Sequence, residues 1–263
     1  MKIEIPKFET KKELYKFLVD NCDALIAQKC STIKHADGFG ASSLLLNELG
    51  ETGFTIKSDN GDVTVLKGRL IINTTKILDS HGDVHVDGLW NKSVKENKRI
   101  LHVQEHKSNE FSKIIASGDD LKASVKTYTW KELGYDAEGE TEALVFDSNI
   151  RKDRNAYMFD QYQKGYVNNH SVGMQYQKMG LAVDDEDYPA YKALWDAHID
   201  TIVNRKDAEA KGYFWAITEA KALEGSSVPL GSNPITPTLE LKPKGIEEEL
   251  TPKELAVRKF LGI

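Results

Sequence analysis

Cysteine, long apolar runs and clustered charge are all scarce in this chain, and each scarcity closes off a class of function. Two cysteines, Cys22 and Cys30, are too few for a disulfide framework and are not spaced as a CxxC metal or redox pair. Both read as helix packing residues. No apolar stretch approaches the roughly 18 to 20 residues of a membrane span. The opening Met1-Lys2-Ile3-Glu4-Ile5-Pro6-Lys7 lacks the apolar run of a signal peptide, so the expected compartment is the cytoplasm, with no membrane partner. With 35 basic and 41 acidic residues the net charge is -6, and the two signs are interspersed. A nucleic-acid-coating surface needs clustered Lys and Arg, so no nucleic-acid partner is expected. Gly38-Phe39-Gly40 has no strand before it and no Lys-Ser/Thr after it, so it reads as a helix-to-helix turn and not a phosphate loop.

What is present is 263 residues, 40% of them hydrophobic, which suffice for a sizeable core. Leu14, Phe17, Leu18, Cys22, Leu25 and Ile26 recur at three- and four-residue intervals, predicting an amphipathic helix over 10–29 with Thr10 as its cap. From Asp62 the texture changes to alternating β-branched and aromatic residues, predicting strands over 63–72, 121–130, 143–146, 171–177 and 213–222. Helices are predicted over 150–164 and 188–211. The expected fold is α+β, a mostly antiparallel, barrel-like core with surrounding helices. Its domains are an N-terminal helical extension (1–60), a central α+β domain (61–240), and a polar linker with a short C-terminal helix (241–263). The acidic run Asp184-Asp185-Glu186-Asp187 begins an insertion reaching Lys211. The Pro, Lys and Glu composition after Pro234 reads as solvated linker.

Three segments carry chemistry. Ser171 follows a helix and a glycine, and opens a strand in which Val172, Met174 and Tyr176 alternate with Ser171, Gly173 and Gln175. The serine is expected to face away from the core, beside a Gly173 that admits a close-lying peptide. Ile100-Leu101-His102-Val103-Gln104-Glu105-His106 supplies imidazoles, which near their ordinary pKa take and return a proton at neutral pH. Leu223-Glu224-Gly225-Ser226-Ser227 supplies a carboxylate to orient an imidazole. Glu219 competes with Glu224, and on an unbroken strand the two point to opposite faces. His102 competes with His106 but lies within the apolar strand and reads as a core histidine. His170 projects away from Ser171, and His35 and His198 read as surface or packing residues. The order His, Ser, Glu excludes α/β-hydrolases, chymotrypsin-like and subtilisin-like enzymes, whose triad residues follow other orders. His81-x-Asp83-x-His85 suggests metal ligands, but no fourth is apparent nearby, so it reads as a polar turn. No metal or cofactor is expected.

Four segments in order resemble the prohead (procapsid maturation) serine proteases of tailed phages, which are related in fold to the herpesvirus assemblins. They are Asp79-Ser80-His81-Gly82-Asp83-Val84-His85 with Val86-Asp87-Gly88-Leu89; His106 followed by Lys113-Ile114-Ile115; His170-Ser171-Val172-Gly173-Met174; and Leu223-Glu224-Gly225-Ser226-Ser227-Val228 with Asn233-Pro234. The resemblance covers about residues 65 to 240. It implies a serine endopeptidase of viral capsid maturation in which Ser171 is the nucleophile, His106 the general base and Glu224 the third member. The turn at Gly231 to Asn233 is similar to the oxyanion loop of the assemblins, which makes the backbone near Ser232 the oxyanion candidate. The implied substrates are capsid coat protein and scaffold protein, together with the chain itself, inside a procapsid assembling in the host cytoplasm. The assemblin likeness also implies a homodimer. The rival expectation is a non-catalytic capsid-assembly scaffold that keeps the protease fold, with its helical and charged ends binding a partner.

Overall fold

The computed structural model describes residues 3–35, 63–97 and 99–244. The expected turn at Gly38-Phe39-Gly40 and the expected helix near the C-terminus lie outside these residues. Helix α1 (Lys11–Asp20) starts at Thr10 in a reciprocal cap: Thr10 Oγ1 accepts from Glu13 N, and Thr10 N donates to the Glu13 carboxylate. One predicted helix becomes two, because Asn21 leaves helical geometry (φ -113°, ψ 13°) and its side-chain amide bonds the Phe17 carbonyl at 2.9 Å. Asparagine favours such local side-chain bonds over continuing a helix. Helix α2 (Cys22–Ser31) follows, and Tyr15, Leu18, Cys22 and Leu25 bury against the main core.

The chain continues as β1 (Lys34–His35), β2 (Val65–Thr74), β3 (Asp83–His85), α3 (Asn91–Glu96), β4 (Leu101–Gln104), β5 (Ile114–Ala116), β6 (Leu121–Thr129) and β7 (Glu140–Arg151). After these come α4 (Ala156–Gln163), β8 (His170–Val183), α5 (Pro189–His198), α6 (Arg205–Lys211), β9 (Tyr213–Ser227) and β10 (Thr238–Pro243). One sheet has the order β1-β8-β9-β4-β5, with β3 also paired to β9; the other has the order β10-β2-β7-β6. Pairing is antiparallel except for β3 and β4, which both run parallel to β9. The fold is therefore mixed α+β with largely antiparallel sheets. Among the described residues the two sheets stay separate, so the expected barrel does not close. Ile72, Leu144 and Phe146 from one sheet pack on Val172, Met174, Ile217 and Ala222 from the other. Gly225 lets the layers approach, since a Cβ there would lie 2.4 Å from the Phe146 ring and 2.9 Å from Ile72.

Three more expectations change. Residues 150–164 are not one helix: Ile150 pairs with Leu66 in the sheet, and α4 begins only after Asn155, whose side chain accepts from Met158 N at 3.0 Å. The segment from Asp184 to Lys211 is the connection across the β8–β9 hairpin. Its Trp195, Ile199, Ile202 and Ala208 form a second apolar cluster with Ala182 and Phe214. The stretch after Pro234, expected as solvated linker, buries Ile235, Thr236 and Thr238 and adds β10 to β2. Leu241 supplies its apolar contact with the main core. No helix among the described residues is long and apolar enough to cross a membrane.

Candidate active site

The site is built where β4, β9 and β8 lie side by side. Parallel pairing sets Leu101 against Glu224 and Val103 against Ser226, and antiparallel pairing sets Ser226 against Ser171 and Glu224 against Gly173. Directly opposed residues share a sheet face, so Ser171, Gly173, Glu224 and Ser226 fall on one face and His170, Val172, Gly225 and Ser227 on the other. Glu224 leans across Gly173: a Cβ on that glycine would lie 2.0 Å from Glu224 Oε1. The missing side chain is what makes room for the carboxylate.

His106 enters from the end of β4 through a turn that ordinary residues seldom make. Glu105 and His106 both have left-handed backbones, with φ of 50° and 58°. Each such non-glycine residue costs on the order of 1–3 kcal/mol and persists only when its surroundings enforce it. Three bonds enforce it here. Glu105 N donates to the Ser227 carbonyl at 3.1 Å, Lys107 N to the Gln104 carbonyl at 3.0 Å, and His106 N to Ser226 Oγ at 2.8 Å. The turn brings the imidazole to the carboxylate, and His106 Nδ1 donates to Glu224 Oε1 at 2.6 Å. Both side chains are nearly shielded from water, 6% and 3% exposed. That shielding strengthens the charge-assisted bond relative to one at the surface.

Ser171 lies on the same face as this pair, two residues along β8 from Gly173. It faces away from Val172, as alternation requires, but is only 2% exposed. The expectation of an open serine is corrected, because the face that carries it also carries the buried Glu224 and Ser226. Glu219 is elsewhere, bound to Lys92 at 2.9 Å and Lys178 at 2.7 Å. Gly231 packs on the residue before Ser171, with 2.8 Å between the position of an added Cβ and the His170 carbonyl oxygen. The Ser232 turn thus sits beside the start of β8. It is anchored by Asn233, whose side chain bonds Thr74 through both its oxygen (3.1 Å) and its nitrogen (2.9 Å).

Beneath the site, on the opposite sheet face, runs a second polar network that the sequence did not reveal. The Tyr162 hydroxyl lies 3.0 Å from His170 Nε2, 3.1 Å from His102 Nε2 and 2.7 Å from Ser227 Oγ. His102 Nδ1 also meets Ser148 Oγ at 2.9 Å. His170 Nδ1 donates to the Thr236 carbonyl at 2.9 Å, so in the neutral ring Nε2 accepts from Tyr162. Burial holds the His170 imidazole down to about 4 and that of His102 well below its ordinary value. Both rings are therefore neutral structural groups that pin the ends of β8 and β9. Ser226, two residues beyond Glu224, was also missed. Simple alternation already placed it on the carboxylate's face.

The chain matches no protein-family model, no curated protein and no solved structure. Among the described residues no group of three or more His, Cys, Asp and Glu is arranged to hold a metal ion. In the His81-x-Asp83-x-His85 segment, Asp83 is taken up by Lys29 at 2.6 Å, by Lys34, and by the Tyr176 hydroxyl at 2.7 Å.

Proposed function

We propose that the protein is a serine endopeptidase in which Ser171 is the nucleophile, His106 the general base and Glu224 the group that orients it. The observation that carries this reading is the buried 2.6 Å bond from His106 Nδ1 to Glu224, on the sheet face that Ser171 shares. A carboxylate bound to Nδ1–H fixes the tautomer in which Nε2 is the basic nitrogen and stabilises the imidazolium that forms during reaction. Ser171 and Glu224 are diagonal neighbours across β8 and β9. Such positions lie about 7 to 8 Å apart, a gap that one imidazole interposed between them would bridge.

In the proposed reaction Ser171 Oγ attacks the scissile carbonyl as its proton passes to His106 Nε2. Collapse of the tetrahedral intermediate breaks the C–N bond, and the same proton goes to the leaving amine. Water, deprotonated by His106, then hydrolyses the acyl ester and returns Ser171. Backbone N–H groups of the Ser232 turn are the proposed oxyanion donors, each worth about 10²- to 10³-fold in rate.

The resemblance to prohead proteases supports a role in capsid maturation, with scaffold protein, the scaffold-like segment of coat protein, and the chain itself as substrates in an assembling procapsid in the host cytoplasm. One observation favours a second reading, a non-catalytic capsid-assembly protein: Ser171 is almost wholly covered. Intact-mass measurement under assembly conditions separates the two. Fragments from the wild type that are absent from Ser171→Ala support the protease, and identical masses favour the scaffold.

A further inference from the structure

Of six large hydrophobic side chains that stand exposed among the described residues, Tyr157 (61% exposed) and Tyr166 (68%) line one cavity, Leu230 (42%) is next in the chain to its wall, and Phe111 (89%) lies in a turn bonded to the cap of the helix that carries Tyr157. A soluble surface scatters such residues singly, and a cluster of them marks a binding surface. The cavity has a volume of about 140 Å³, and its wall combines Tyr157, Met158, Tyr166, Val167, Val228 and Pro229 with the polar Gln104, Glu105, Gln161 and Ser227. Leu230 follows its wall directly. The 3₁₀ turn Phe111–Lys113 is tied to the cap of α4 by a 3.1 Å bond from Asn155 Nδ2 to the Ser112 carbonyl.

The cavity and the candidate active site lie at the same end of the β4-β9-β8 layer. The last residue of β9, Ser227, pairs with His170, the first of β8, and Gln104 ends β4 beside them. Ser171 is the next residue after that junction. The groove's wall at Val228 leaves β9 just beyond Ser226, and its wall at Val167 enters β8 just before Ser171. Glu105, which precedes the proposed base, lines the same opening. A volume this far below the roughly 300–1,000 Å³ of small-molecule sites suits one side chain and not a cofactor.

Resting on the protease reading, we infer that this groove is the specificity pocket of the enzyme. It receives one bulky apolar or aromatic side chain of an extended peptide substrate, within a few residues of the scissile bond. The exposed Tyr157 and Tyr166 rings close over that side chain and keep their hydroxyls in water, as amphipathic aromatics do at interfaces.

The test is mass-spectrometric profiling of cleavage in a mixed-sequence peptide library by the full-length wild type and by Tyr157→Ala/Tyr166→Ala. Both rings are largely exposed, so melting temperature should show the double variant folded. The expected wild-type profile is enriched in Leu, Met, Phe and Tyr at one fixed position. The variant should lose at least about 10-fold of that preference, the lower end of what a single apolar-pocket contact contributes. A profile with no apolar position, or one the variant leaves unchanged, overturns the pocket. Labelling of wild-type Ser171 by a fluorophosphonate separates the failures. Labelled protein without apolar preference defeats the pocket alone, whereas unlabelled, inactive protein defeats the protease reading and the pocket with it.

Discussion

Gly173 and Glu224 face one another across β8 and β9, and the carboxylate occupies the space a side chain at Gly173 would need, 2.0 Å from Oε1 to the position of a Cβ. Gly173→Ala should therefore displace Glu224 from His106. Misplacement of a catalytic group by about 1 Å can cost 10²-fold, and a fall of that order in kcat/KM for peptide hydrolysis is expected. Steady-state kinetics check it; activity within a factor of three of wild type would mean Glu224 is not positioned by this contact.

The left-handed turn at Glu105 and His106 makes a second prediction. Glycine adopts φ near +50° freely, whereas a β-branched residue does so at a cost. Glu105→Gly should keep or slightly raise the melting temperature. Glu105→Val should destabilise the fold by about 1–2 kcal/mol and slow hydrolysis, because the turn carries the imidazole. Urea unfolding of the two variants, with rates measured alongside, tests both halves.

Acid should destabilise the protein through its buried imidazoles. Burial lowers His85 and His170 to about 4 and His102 well below its usual value, while unfolded histidines titrate near 6.5. Their contribution is complete above about pH 6.5. It is lost progressively as pH falls toward 4, because the unfolded chain then binds protons that the folded chain refuses. Asp79 opposes this trend: burial and the neighbouring Asp83 push it up to about 7, so its contribution is present at low pH and lost as pH rises through 7. Thermal melts should show the midpoint falling from pH 6.5 to 4, and falling more steeply in Asp79→Asn. A flat profile would contradict the neutral-histidine network.

Asp83 ties α2 to the sheet through Lys29 and also binds Lys34 of β1, just beyond that helix. Removing one partner of a buried ion pair leaves charge uncompensated and typically costs about 3–5 kcal/mol. Asp83→Asn should lose stability of that order in denaturant unfolding. Amide exchange should quicken first in α1 and α2. Uniform exchange without early opening there would show that the helices are held by Tyr15, Leu18 and Leu25 alone.

The long strands β2, β6, β8 and β9 were legible because they alternate over many residues, and that signal also marked the face of Ser171, whereas only 143–146 of β7 read as strand and its end at Ile150 read as helix. The short strands β3 and β5 were not legible, and β4 was legible only as the apolar run ahead of His106. Their residues are almost all buried, so no alternation marks them, and the parallel pairing of β3 and β4 with β9 is a tertiary property. β10 was masked by the charged composition around Thr238 to Pro243. Glu105 and His106 carry no glycine or asparagine to announce a left-handed turn, so the geometry that delivers the imidazole to Glu224 was invisible. Tyr162 lies inside the predicted helix over 150–164 with no sequence signal for its hydroxyl, whose role comes from His102, His170 and Ser227 converging on it.

The most direct test of the account is covalent labelling of the full-length protein with a fluorophosphonate, followed by peptide mapping, in wild type and His106→Ala. Modification of Ser171 in the wild type, with its rate lowered by at least about 10²-fold in the variant, the scale of general-base assistance, is the predicted result. Label at another residue, or label on Ser171 that is indifferent to His106, would contradict it.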